Sequence, residues 1–271
     1  MISYCIAHKD RTDLFEINLS SLANQTDKDF EVVIADNSSD TAPICALVKK
    51  YRELGLQIQL HFVDHKLIDL KLTHSLEKIN PALQQNIAVR KAKGDIIVLT
   101  SPEVVNATTN VEQIKNQFKD GKKKFVYAWI NEQPAENVKP FISTDFSSTF
   151  LKSKYSIKCG EAVCNRSNWR DCAYFLGAMR KQDFVAIQGI EELFMNGQGY
   201  EDDDFIRRVR LSGVELILDE EISGLHLCHP RSHWSKLPLN DKLFALFRDS
   251  NTLVANQGRD WGSFKCITRS V

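Results

Sequence analysis

Four consecutive carboxylates, Glu201, Asp202, Asp203 and Asp204, follow Gly197 and Gly199 in GQGYEDDDFIRRVRLSG and run straight into Phe205-Ile206-Arg207-Arg208. Carboxylates at such a junction can start a helix, cage a metal ion or take a proton from a substrate. A helix start explains part of the run, because acidic groups in a first turn are stabilised by the helix dipole. Asp203 with Arg207 and Asp204 with Arg208 fall at i,i+4, pairs worth roughly a few tenths of a kcal/mol. On that helix Phe205, Ile206 and Val209 point inward and Gly213 ends it. Glu201 and Asp202 are left at the loop–helix junction, where a carboxylate can face a pocket. An EF-hand is excluded, since its alternating ligands and distal Glu are missing.

Two other stretches carry ligand chemistry. HLCHPRSHW holds His226, His229 and His233 within eight residues. Pro230 prevents one continuous helix from aligning them, so one ligand at most is expected, with His229 and His233 as polar loop residues. GDIIVLTSPEVV ends an apolar run in Ser101-Pro102-Glu103, which places one hard oxygen ligand after a strand.

These groups must be positioned by the elements around them. ISYCIA (2–7), FEVVIAD (30–36), QIQLHFVD (57–64) and DIIVLT (95–100) read as buried strands. Between them lie helical stretches: one with Leu14, Ile17, Ser21 and Leu22 on one side, ICALVKKYRELG (44–55) closed by Gly55, and PALQQNIAVRKAKG (81–94). Ser38, Ser39 or Asp40 is placed to cap the second helix. Alternating strands and helices predict a parallel, doubly wound α/β sheet that binds ligand at the carboxyl ends of its strands. Those ends carry Ala7-His8, Asp36-Asn37-Ser38, Asp64-His65 and Ser101-Pro102-Glu103. The second half is more irregular, with a strand at 122–130, a polar loop at 131–149, a strand at 214–219, the segment GLHLCHPRSHW at 224–234, and a helix near 240–255.

Lys plus Arg, 35, cancel Asp plus Glu, 35, so no global field draws the chain to nucleic acid. Lys152, Lys154, Lys158, Arg166 and Arg170 form a local basic region, read as a solvated loop, with a membrane surface or a phosphorylated acceptor as the alternative. The longest apolar stretches, such as FVYAWI, fall far short of the roughly 20 residues of a membrane span. ISYCIA at the start has no basic n-region, and no signal peptide is expected. Seven cysteines without a C-x-x-C pair suggest reduced thiols and a cytoplasmic protein. No G-x-G-x-x-G follows the first strand and no G-K-[ST] occurs, which disfavours dinucleotide and P-loop folds.

Taken in order, the segments resemble a GT-A fold glycosyltransferase of the family 2 kind. ISYCIAHKDRTDLFEINLSSLANQTDKDFEVVIADNSSD is similar to that family's first βαβ unit, and NPALQQNIAVRKAKGDIIVLT to the stretch leading to its metal motif. FLGAMRKQDFVAIQGIEELFMNGQGYEDDDFIRRVRLSG resembles the acceptor-side segment shared with the galactosyltransferase C-terminal module. The resemblance covers about residues 1–105 and 173–230. It implies a GT-A, Rossmann-like, mostly parallel central sheet flanked by helices, in one domain. Residues 1–105 form the donor-binding half, and 106–271 the acceptor-binding and catalytic half with a C-terminal helix.

The activity implied is inverting transfer from a nucleotide-sugar, a UDP-sugar foremost, to an acceptor hydroxyl of a glycan or lipid-linked glycan, in polysaccharide or glycoconjugate synthesis. Asp202 falls on the family's base, and Glu201 orients the acceptor. Asp36 falls on the nucleobase position; Ala7, His8 and Arg11 on the first donor loop; Asn37, Asn86 and Ser101 complete the donor set. Trp169, Tyr200 and Trp234 are the aromatic candidates for stacking on acceptor sugars. The expected Asp-x-Asp is replaced by TSPE, leaving Glu103 and His226 as the ligands for Mn2+ or Mg2+. Gln85 replaces the Arg before Asn86, with Arg90 one helical turn on as a substitute charge. The expected location is cytoplasmic, with peripheral contact at the inner membrane face left open. Two alternatives remain: a degenerate domain that only binds nucleotide or glycan, and a nucleotidyltransferase. The second would need a glycine-rich loop where AHKDRTD stands.

Overall fold

FEVVIAD buries every one of its side chains, as a strand covered by helices on both faces must. This strand, β2 (Phe30–Asp36), lies beside β1 (Ile2–His8), and both are parallel to β3 (Ile58–Val63) and β4 (Ile96–Thr100). These assignments come from a computed structural model that describes residues 1–63, 81–139, 162–164, 173–197, 199–229, 238–262 and 266–268. Asp64, His65, Trp169, His233, Trp234 and the basic group at 152–170 lie outside the described residues.

Between the strands run α1 (Thr12–Ala23), α2 (Ala42–Glu53) and α3 (Ala82–Lys91). Ala42 N donates to Asp40 Oδ1 at 2.9 Å, and Gly55 follows α2 at φ +93°, where a side chain would be strained. α3 packs on β1 and β2. The chain steps outward from β1 to β2 and β3, then crosses back to place β4 on the other side of β1. That reversal opens a crevice at the carboxyl ends of β1 and β4. Register pairs His8 with Asp36 at the ends of β1 and β2.

The remaining elements are β5 (Val104–Asn106), α4 (Asn110–Gln117), β6 (Lys124–Gln133), α5 (Ala135–Val138), β7 (Ala162–Cys164), β8 (Phe175–Arg180), α6 (Lys181–Ala186), a short 3₁₀ turn (Glu192–Asn196), α7 (Glu201–Leu211), β9 (Glu215–Leu227), α8 (Pro238–Asp249) and β10 (Cys266–Thr268). One sheet takes them in the order β10-β3-β2-β1-β4-β8-β6-β9-β5, with β7 paired to β6. Six of these ten strands, β1–β4, β6 and β9, run one way, so the sheet is mostly parallel.

Three expectations are corrected. The polar loop expected from 131 instead continues β6 to Gln133 and adds the single turn of α5. The strand expected at 214–219 runs on as β9 to Leu227, and its register with β6 shifts between Ala128 and Trp129. The C-terminal helix is shorter, ending at Asp249 rather than near 255. Gly224 lets β9 approach β5, since a Cβ there would collide with the Val105 carbonyl.

Candidate functional site

β5 and β9 are antiparallel, with Val104 opposite His226. Leu227 N donates to Glu103 O at 2.8 Å, which holds the residue before β5 against the end of β9. Glu103 and His226 thereby meet below the carboxyl end of β4. His226 Nε2 lies 3.7 Å and His229 Nε2 3.4 Å from Glu103 Oε1. The ligand atoms of Glu103, His226 and His229 all fall within 4.8 Å of one another. Arg11, at the start of α1, donates to the same Glu103 oxygen at 2.6 Å. Burial opposes ionisation of Glu103, but contacts from His226 and His229 and the Arg11 charge outweigh it and hold the carboxyl well below the usual range.

Further groups surround His226. Glu132 Oε1 faces His226 Nδ1 at 3.5 Å, the Phe175 ring stands edge-on to His226 at 5.1 Å, and the two imidazoles lie 5.3 Å apart. A carboxylate and two imidazoles are a donor set for a divalent cation, and Glu103 Oε2 is buried with no hydrogen-bond partner among the described residues. The residues fit a metal ion. His229, set aside on sequence because Pro230 breaks a helix, belongs to the cluster because a strand end, not a helix, delivers it.

Beside this cluster a cleft of about 640 Å³ is lined by Asp10, Arg11, Ser38, Asp40, Cys228 and His229, among others. Its floor is polar. His8 Nδ1 and Asp36 Oδ1 are 2.6 Å apart and fully buried, and Ser38 Oγ donates to the same oxygen at 2.7 Å. Asp10 N donates to Ser38 Oγ at 2.9 Å, which joins the loops after β1 and β2. Neither polar atom of the buried Asn37 amide has a partner among the described residues. Ala7 sits one residue before the end of β1.

Two expected donor contacts sit elsewhere. Asn86 is fully buried on α3: its Nδ2 donates to Ile190 O at 2.8 Å and Glu192 Oε1 at 3.0 Å, and its Oδ1 accepts from Ile190 N at 2.9 Å. It is a strut between α3 and the 3₁₀ turn, not a wall of the cleft. Arg90 stacks over Trp261 at 5.1 Å instead of reaching a phosphate site. Ser101 Oγ donates to Tyr174 O at 3.4 Å, tying the end of β4 to the residue before β8.

The acidic run divides within α7. Asp204 is fully buried and takes both arginines, Arg208 Nε at 2.7 Å and Arg207 Nη2 at 2.8 Å. The expected Asp203–Arg207 pairing is thus replaced by Asp204–Arg207, and Asp203 is exposed. Arg208, 1% exposed, also donates to Gly189 O at 2.7 Å, anchoring α7 to the turn after α6. Gly189 has φ +70°, and a Cβ there would meet Asn86 Oδ1 at 2.5 Å.

Ahead of this anchor Glu201 is buried and Asp202 half-buried. Tyr200 enters the helix at φ +71°, a strained value for a side chain this large, and stacks on Phe244 of α8 at 5.0 Å. Tyr174 was missed by sequence reasoning. Its phenol oxygen is buried without a partner among the described residues, and burial, then Glu201 and Asp202, push its pKa well up. Its neighbour Phe175 touches His226, so the start of β8 joins the cation cluster to the acidic pair.

A polar crevice where the sheet order reverses, with a carboxylate–imidazole cluster at its rim, defines a GT-A type sugar-transferase fold. The profile of glycosyl transferase family 2 matches residues 3–182, and the chain belongs to that family. A second profile, described as the N-terminal domain of galactosyltransferase, matches residues 163–226 and takes in the acidic run. Comparison with curated proteins finds no match. Among solved structures, TarS residues 1–349 from S. aureus with UDP superposes with TM-score 0.57 at 15% identity, over 84% of this chain and 61% of that one. The same protein with UDP-GlcNAc gives TM-score 0.55 at 17% identity, over 86% and 60%. The mannosyltransferase PcManGT from Pyrobaculum calidifontis, with GDP-Man and Mn2+, gives 0.56 at 17% identity, over 86% and 58%. The chain therefore spans about 60% of the length of these structures.

Proposed function

We propose that the protein is an inverting glycosyltransferase that moves a sugar from a nucleoside diphosphate sugar, UDP-linked, to a hydroxyl of a glycan or lipid-linked glycan. The observation that carries this is the Glu103–His226–His229 cluster at the rim of a cleft walled by the loops after β1 and β2. The UDP and GDP sugars in the neighbours, and the Mn2+ in one, support a nucleotide donor with a divalent cation. Two imidazole nitrogens favour Mn2+ over Mg2+, which prefers oxygen ligands and keeps its waters. Held by Glu103, His226 and His229, the ion would supply positive charge toward the leaving diphosphate.

The chain's own residues do the rest. The His8–Asp36–Ser38 ladder and Asn37 shape the nucleoside end of the cleft. The Asn37 amide, with both polar atoms unpartnered among the described residues, offers donors and an acceptor to the edge of a nucleobase. Arg11 meets the diphosphate. Asp202 accepts the acceptor proton as the new bond forms, and Glu201, buried beside it, holds the acceptor hydroxyls. Tyr200 and the aromatic residues Trp169 and Trp234 are the proposed acceptor contacts. The domain works as a donor half, 1–105, and an acceptor half, 106–271. No helix among the described residues is long and apolar enough to cross a membrane; action on a lipid-linked acceptor calls for peripheral contact at the cytoplasmic face.

Asp202→Asn tests the reading. Turnover of a UDP-sugar, including its slow hydrolysis, should vanish, while UDP-sugar affinity measured by calorimetry with Mn2+ stays within about threefold, since only the proton acceptor is lost. Unchanged turnover removes Asp202 as the base. Absence of both hydrolysis and binding in the wild type favours a degenerate domain.

A further inference from the structure

Glu103 Oε1 is claimed from three directions. Arg11 Nη1 reaches it at 2.6 Å, His229 Nε2 at 3.4 Å and His226 Nε2 at 3.7 Å. The carboxylate side chain is 6% exposed, whereas the Arg11 side chain is 40% exposed. A cation held by the cluster would share this carboxylate, through Oε1 beside the imidazoles or the unpartnered Oε2, with a guanidinium that already holds Oε1 in a short, charge-assisted bond. Arg11 cannot yield by losing its proton, because a guanidinium stays charged at any working pH. It can yield only by moving, and a divalent ion beside an unmoved guanidinium would meet like-charge repulsion inside a buried site.

We propose that Arg11 and the divalent cation compete for Glu103, and that the donor diphosphate resolves the competition by drawing Arg11 onto itself. The inference rests on the cation site proposed above. Arg11 has somewhere to go: it lines the cleft together with Asp10, Thr12, Ser38 and His229. Its planar fork suits phosphate oxygens as well as a carboxylate. The consequence is cooperativity. Nucleotide frees Glu103 and tightens the cation, and by linkage the cation tightens the nucleotide by the same factor. Arg11 is then a positioning residue that sets how metal and donor bind, as well as a phosphate contact.

The test uses the full chain and titrates MnCl2 with the electron paramagnetic resonance signal of free Mn2+, with and without saturating UDP. Wild type should bind Mn2+ weakly alone and more tightly with UDP. Arg11→Gln should bind Mn2+ alone at least about fivefold more tightly than wild type, the lower end of typical site coupling, and should gain less from UDP. Arg11→Lys, which keeps the charge, should fall between the two. If R11Q binds Mn2+ alone no more tightly than wild type, the competition is overturned while the cation site stands. If no protein binds Mn2+ even with UDP, the cation site itself fails and the competition with it.

Discussion

Glu103 follows a strand and precedes a short one, a place where a carboxylate is ordinarily on the surface. Burial and the convergence of Arg11, His226 and His229 on one of its oxygens give it a different character. His229 is the sharper test, because its imidazole reads as a polar loop residue on sequence and as a cluster member in space. His229→Ala should weaken Mn2+-dependent UDP binding by at least the roughly 10–100-fold seen when even the outer partners of a metal site are removed. Calorimetry with and without Mn2+ checks it, and an unchanged metal-dependent affinity would return His229 to the loop. At this scale the sequence was legible in placement: His8 and Asp36 end β1 and β2, and Glu103 stands between β4 and β5, where the strand pattern puts them. It failed where the contact depends on an orphaned atom or a distant turn. Tyr174 carries no motif of its own, and Asn86 reads as a donor ligand although its amide is consumed by Ile190 and Glu192.

α7 shows how an element converts four like charges into distinct roles. Asp204 and Arg208 face inward with Phe205, a fully buried ring that contributes roughly 1.5–3 kcal/mol on its own. Their pairing fixes the helix against the Gly189 turn and so fixes where Glu201 and Asp202 emerge. The i,i+4 spacing announced the Asp204–Arg208 pair but not its depth, since periodicity gives a face and not the thickness of what covers it. Removing one partner of a buried pair leaves an uncompensated charge. Asp204→Asn should therefore lower stability by about 3–5 kcal/mol, far more than a surface pair would cost. Urea unfolding followed by circular dichroism measures this, and a loss under about 1 kcal/mol would show that Arg208 is held by Gly189 and Ile187 alone.

Across the whole molecule, the first half was the legible part because its strands are buried on both faces and its helices are regular. The second half was not, because β5 and β9 meet across 120 residues of separation by register, as Val105 and Leu225 do. One sheet nevertheless joins both halves, and its global stability registers groups far from the cleft. His61, buried on β3 near Gln59, is one. Burial, then the charge of Lys91, lowers its pKa from 6.5 to about 4, with Glu31 opposing. The native imidazole thus stays neutral in a range where the unfolded one takes up a proton. Its contribution is complete above the unfolded value near 6.5 and is lost as pH falls toward the folded value near 4. The full shift corresponds to an upper bound of about 3 kcal/mol at about 1.36 kcal/mol per unit. Urea unfolding at pH 7 and at pH 4.5 should show the wild type losing about 2 kcal/mol more on acidification than His61→Gln, whose amide does not titrate. Carboxylates common to both proteins cancel in that comparison. Equal losses would mean that His61 already protonates in the folded sheet.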